Sequence, residues 1–166
     1  TPQQLARWKR AVNATNANIG EAVGKLYVAK YFPPQSKAQI EAMVGRLIDA
    51  FRARIDKLDW MAPATKAEAR RKLATLKVGV GYPDHWIDYS SLKIVAGDAF
   101  GNQQRASLFE YRRNLAKFGR PVDRGEWAMT PQTVNAVNLP VRNALNFPAA
   151  ILQAPDFNPA NPIAMN

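Results

Sequence analysis

The sequence predicts a mainly α fold, a helical bundle-like body followed by a short β-hairpin, and three observations carry that prediction. Apolar residues recur at three- and four-residue steps as far as Phe118, which is helical spacing. Prolines and glycines break these runs at helix-length intervals. Beyond Trp127 the helical period fades, and two short strand-like segments flank a turn.

Leu5, Trp8, Val12, Ile19, Val23 and Leu26 place a first helix that runs to about Tyr31. Pro33 and Pro34 stop it, because neither ring donates a backbone hydrogen bond and Pro34 pushes the residue before it out of the α region. Ser36, with Gln39 three residues on, reads as a reciprocal cap for a second helix. Its apolar stripe, Ile40, Met43, Val44, Leu47, Ile48, Phe51, Ile55 and Leu58, is the cleanest in the chain. Pro63 then suits a first helical turn, and TKAEARRKLATLK is rich in strong helix formers. Gly79, Gly81 and Pro83 read as the stop of that third helix, and HWIDY as a short strand. Asp98 is positioned to cap a further helix that carries Phe100, Leu108, Tyr111, Leu115 and Phe118 and closes at Gly119 and Pro121. Thr133 to Asn138 and Ala144 to Phe147 read as two strands joined by a turn at LPVRN, and APDFNPANPIAMN reads as loop.

With 166 residues, 47% hydrophobic and 22% charged, the chain has the composition of a soluble globular protein, not of a disordered tail. No apolar run approaches the roughly 20 residues of a membrane-spanning helix. The opening TPQQLARWKR, without methionine, reads as that of a processed product or an excised segment, and the second is the expectation. The absence of cysteine excludes disulfide and thiolate chemistry within this chain. A net charge of +10 would attract nucleic acid if it were gathered on one face, but Arg70, Arg71 and Lys72, and then Arg112 and Arg113, lie in helical patterns mixed with Glu68 and Glu110. Two readings therefore stand beside an enzymatic one: a basic helical nucleic-acid-binding module, and a structural interaction domain.

His85 is the only histidine, so this chain cannot by itself assemble a metal site of several His or Cys ligands or a Ser-His-Asp set. Asp49, Asp56 and Asp59 fall at helical intervals, but Arg52, Arg54 and Lys57 between them point to surface ion pairs. The segment around Asn135 is different. An Asn amide offers two donors and an acceptor, the complement of a peptide unit. If the strand lies at a sheet edge, its free N–H and C=O groups can pair with an extended peptide while the amide fixes register. The other reading, that Asn135 satisfies a turn or a neighbouring loop, stays open at this level.

The run VNAV…RNALNFPAAILQAPDF resembles the neprilysin and endothelin-converting-enzyme family of zinc metallopeptidases, which carry an Asn-Ala-aromatic strand, then Arg-Asn, Phe-Pro-Ala-Gly-Ile-Leu and a Pro-Phe element. The likeness extends through WKRAVNATNANIGEAVGKLYVAKYF, SKAQIEAMVGRLIDAFRARIDKLDWM, TKAEARRKL, VGYPD and GEW. It implies that residues 1–125 belong to a helical domain roofing a chamber, and that 126–166 open a thermolysin-like catalytic domain. It further implies that Asn135 and Ala136 hold the main chain of a peptide substrate and that Ile151 lines the pocket for the side chain just after the scissile bond. Three departures bear on side-chain preference: Val137 stands where an aromatic is usual, Ala150 where Gly is usual, and Asp156 where an aromatic is usual. The family's zinc-binding His-Glu-x-x-His helix and its further catalytic groups would follow Asn166. The resemblance thus implies zinc in the parent protein and none bound by these residues, and no cleavage by this segment alone. The partners it implies are a peptide substrate and the remainder of the same polypeptide, with no nucleic acid and no membrane contact by this segment, at an extracytoplasmic (periplasmic or secreted) site.

Overall fold

The computed structural model describes residues 3–166. It has four long helices and one small sheet, the mainly α body with a terminal hairpin that the sequence predicts. Helix α1 (Arg7–Tyr31) ends where expected, at Phe32 before the proline pair. Ile19 leaves the helical region (φ −139°, ψ 38°), so α1 is kinked there. A side chain accounts for the kink: the Gln132 Nε2 amide donates to the Gly20 carbonyl (2.9 Å) and to Asn16 Oδ1 (3.1 Å), intruding on the helical ladder.

Helix α2 (Pro34–Lys57) begins earlier than the Ser36 cap predicts. Pro33 is the capping residue, and its carbonyl accepts from the Ser36 N–H (3.0 Å), while Ser36 itself is buried. Pro34, whose ring presets the helical φ and lacks an N–H that would be orphaned anyway, takes the first turn. The α2 stripe is covered only in part: Ile40 is buried, whereas Leu47 and Phe51 are more than half exposed.

Helix α3 (Pro63–Ala74) follows, and then comes the main departure from the sequence reading. Residues Lys77–Gly81 form strand β1 and do not merely end a helix. Its partner explains why: β1 runs parallel to β3 (Ala144–Pro148), Lys77 opposite Ala144 and Gly81 opposite Pro148. Glycine is required at both positions. A Cβ on Gly79 would stand 2.7 Å from Asn146 Nδ2 and 2.8 Å from the Trp127 ring, and Gly81 has φ 77° with the Phe32 ring against it. HWIDY is not a strand; the Ile87 N–H donates to the Glu21 carboxylate on α1 (2.9 Å), which fixes this loop by a side chain and not by a ladder.

Helix α4 (Ala99–Leu115) starts as predicted, with Asp98 Oδ1 accepting the Gly101 N–H at 2.9 Å. It stops short of Phe118, which lies in the following turn and is almost fully exposed. Strand β2 (Val137–Leu139), a single 3₁₀ turn (Pro140–Arg142) and β3 make the hairpin. A second 3₁₀ turn (Ile163–Met165) lies within the C-terminal loop.

The sheet order is β1-β3-β2, so β3 is central and β2 is an edge strand. The sheet joins the two segments that the resemblance distinguishes, β1 from 1–125 and β2 and β3 from 126–166. Phe32, Ile40, Val80, Ala149 and Phe157 form the buried core between the end of α1, α2 and the sheet. Tyr82 sets its ring edge-on to Phe32 and stacks on Trp86, extending this core into the loop after β1.

Candidate functional site

Strand β2 pairs antiparallel with β3 in the register Val137 opposite Asn146 and Leu139 opposite Ala144. Its other side carries no strand among the described residues, so the sheet offers one open edge here. The residues that the resemblance singles out lie at the start of this edge. Asn135 and Ala136 stand immediately before Val137, outside the regular ladder, whereas the sequence reading began the strand at Thr133. The difference has two local causes. The Asn135 N–H is turned to the Thr133 carbonyl (3.1 Å), and continuing the register would set Asn135 opposite Pro148, which has no N–H to offer.

Asn135 is exposed. Its Oδ1 accepts the Ala136 N–H at 2.8 Å, and among the described residues its Nδ2 has no partner. The local turn and the edge position therefore coexist: the amide caps its own backbone on one side and keeps two donors for another molecule. Ile151 sits half-buried in the turn after β3, its N–H donating to the Pro148 carbonyl (3.2 Å). The neighbouring Ala150 N–H donates to the Pro131 carbonyl (2.9 Å), which ties the Ile151 turn to the segment leading into Asn135. Of the departures noted in the sequence, Val137 is half-buried and Asp156 is exposed.

Three anchors hold this edge; Arg142, Asn143 and Glu126 fall within the Arg-Asn and GEW runs of the sequence, but their bracing contacts were not legible there. Gln132 bonds into the α1 kink, just upstream of Asn135. At the far end of β2, Asn143 adopts the left-handed conformation (φ 46°), and its Nδ2 donates to the Lys72 carbonyl (2.8 Å) and Thr75 Oγ1 (3.0 Å) at the end of α3. The hairpin turn is also gripped by charge. Arg142 donates to the Glu126 backbone carbonyl (2.9 Å) and to its carboxylate (3.2 Å), and the same carboxylate accepts from Arg113 of α4 (3.0 Å) and from Lys117. Burial pushes the Glu126 carboxyl up, but the hydrogen bonds and positive charges of Lys117 and Arg113 outweigh it and hold it below the ordinary value. Glu110, bound through two oxygens to Arg113, is likewise held down, while burial raises Glu21 despite its bond to Ile87.

The other candidates of the sequence lie elsewhere. His85 is exposed in the loop after β1. Asp49 pairs with Arg52 (2.8 Å), as the helical spacing suggests, whereas Asp56 pairs across to Arg70 of α3 (2.5 Å) and not with a neighbour on its own helix. Among the described residues no three His, Cys, Asp or Glu side chains come together as a metal-binding group. A cleft of about 380 Å³ lined by Glu21, Lys25, Trp86 and Asp88 shares no residue with the β2 edge.

The family model described as peptidase family M13 matches residues 1–83, half of the chain, and the chain belongs to that family. It is 34% identical over 166 residues to Neprilysin-3 of Drosophila melanogaster and 32% identical over 174 to human neprilysin, covering 96% and 100% of this chain. The cryo-electron-microscopy structure of the Mycobacterium tuberculosis zinc metalloprotease Zmp1 in its open state superposes with a TM-score of 0.91 at 48% identity over 99% of this chain. The chain spans 21% and 23% of the two neprilysins and 25% of the Zmp1 chain. No helix of the described residues is long and apolar enough to cross a membrane.

Proposed function

We propose that this chain is part of a zinc metalloendopeptidase that hydrolyses peptides small enough to enter an enclosed chamber, and that the β2 edge with Asn135 and Ala136 is its substrate main-chain clamp. The observation that carries this reading is the unpaired edge of β2, directly after Asn135, in a chain of family M13. An extended peptide laid along that edge satisfies the free backbone groups of β2 while its own groups are satisfied in return. The Asn135 Nδ2 group supplies donors for a substrate carbonyl, and Ile151 lines the pocket for the residue just after the scissile bond. Residues 1–125 form one side of the helical roof, and 126–166 begin the catalytic domain. The remainder of the same polypeptide supplies the zinc centre, and the enzyme works outside the cytoplasm, periplasmic or secreted. The names of relatives support the class: neprilysins, an endothelin-converting enzyme homolog, and a zinc metalloprotease solved with an inhibitor.

The test is Asn135→Ala in the full-length parent, assayed with a quenched fluorescent peptide. Losing one hydrogen bond of about 0.5–1.5 kcal/mol predicts a fall in kcat/KM of about two- to thirteenfold, with KM raised and kcat lowered because the carbonyl is less well aligned. Unchanged kinetics refute the clamp. The isolated 166 residues are expected to take up no stoichiometric zinc and to cleave nothing, measured by metal analysis and the same peptide assay.

A further inference from the structure

The Glu126 carboxylate stands at the only point where α4 and the hairpin turn share a charged partner among the described residues. From α4 and its extension come Arg113 Nη1 at 3.0 Å and Lys117; from the hairpin turn comes Arg142, which holds both the carboxylate (3.2 Å) and the main-chain carbonyl of Glu126 (2.9 Å). Three of the four side chains are partly shielded, Glu126 at 21% exposure and Arg113 and Arg142 at 29% and 28%, while Lys117 is exposed. The Arg142 carbonyl in turn accepts from Arg124 Nε (2.8 Å), whose Nη2 also reaches the Thr75 carbonyl at the end of α3. The 3₁₀ turn is thus held from the α4 side by Glu126 and from the α3 side by Arg124, while the Asn135 end of β2 relies on Gln132.

We infer that Glu126 is a positioning residue for peptide binding: a charge latch that fixes the hairpin turn against α4 and so sets the height and tilt at which the β2 edge is presented. The inference rests on the clamp reading of that edge. A three-residue strand has too few ladder bonds to fix its own orientation, so its geometry is inherited from the turn that leads out of it. Two features mark the latch as geometric rather than merely attractive. The carboxylate splits its oxygens, Oε1 to α4 and Oε2 to the turn, so a single group sets the spacing between them. Arg142 uses its fork to grip side chain and main chain of one residue at once, which a lysine cannot reproduce.

The experiment compares Glu126→Gln, Arg142→Lys and Asn135→Ala in the full-length parent, by steady-state peptide kinetics and by hydrogen exchange of the 134–147 segment. Glu126→Gln is expected to raise KM about three- to tenfold with kcat changed less than about twofold, and to speed exchange in 134–147 about tenfold or more while α1 and α2 are unchanged. Arg142→Lys keeps the charge and is expected to do the same, since the fork is lost. Unchanged KM and exchange in both variants overturn the latch, as does exchange that rises uniformly over the protein, which marks general destabilisation. If Asn135→Ala is silent while the two latch variants still loosen 134–147, the clamp reading falls and the hairpin latch stands only as a structural brace. If Asn135→Ala acts and the latch variants do not, the latch alone is overturned.

Discussion

Gly24→Ala, set against Gly45→Ala, tests whether α1 supports the segment that leads into the candidate site. Both glycines lie inside helices, where alanine is favoured by about 0.8–1.0 kcal/mol. At Gly45 nothing lies within 4 Å of an added Cβ, so the full gain is expected. At Gly24 an added Cβ would stand 2.6 Å from Pro131 Cδ, 2.8 Å from Gln132 Oε1 and 3.0 Å from Pro131 Cγ. Pro131 cannot swing aside: its ring is fully buried and its carbonyl is held by the Ala150 N–H at 2.9 Å. Overpacking of this kind costs roughly 1–3 kcal/mol, so the helical gain is cancelled and a net loss of about 1 kcal/mol remains. For a domain of this size that separates the two melting temperatures by about 4–8 °C, Gly45→Ala above the parent chain and Gly24→Ala below it. Circular-dichroism melts of both variants measure the difference. In the full-length parent, Gly24→Ala should also raise KM, because relief of the clash moves the Pro131–Gln132 turn and Asn135 with it. Equal stabilisation by both substitutions would refute the packing of α1 against this turn.

Removing the α4 cap with Asp98→Ala is expected to lower the melting temperature, whereas Asp49→Ala, which breaks only an exposed pair with Arg52, should leave it within about 1 °C. Glu110 and Glu126 are both held below the ordinary glutamate value of 4.5, so their contribution to stability is present above that pH and is lost as pH falls through their folded values. Glu21, raised by burial, acts with the opposite sign and favours folding only below its raised value. Glu126→Gln is therefore expected to flatten the acid limb of a stability profile below about pH 4.5, and Glu21→Gln to stabilise the chain above it, both measured by urea denaturation across pH.

Much of the helical body is legible in the sequence because its signals are local. The α1 and α2 stripes, the Pro33–Pro34 break and the Asp98 cap each act within a few residues, and each marks a real helix or boundary. Where the sequence misleads, the deciding contact is distant. Gly79 and Gly81 look like a helix stop, yet they are strand residues because Asn146, Trp127 and Phe32 press against them. Val78 and Val80 alternate with those glycines, a strand signal masked by the lack of bulk between them. Ser36 has the spacing of a cap but lies buried within the first turn of the helix that Pro33 and Pro34 start. For the site, Asn135 could be singled out by its chemistry, and the edge position of β2 follows the reasoning about strand addition. That the ladder begins only at Val137, and that Glu126, Arg142 and Gln132 brace it, depends on contacts between residues far apart in the chain or on turn geometry that no spacing rule encodes.

The most direct test of the account is a crystal structure of the full-length parent with a non-hydrolysable peptide bound. The peptide is expected to lie extended along the outer side of β2, its main chain hydrogen-bonded to that strand and to the Asn135 amide. A peptide bound elsewhere, or a β2 edge already covered by another strand of the same protein, would contradict it.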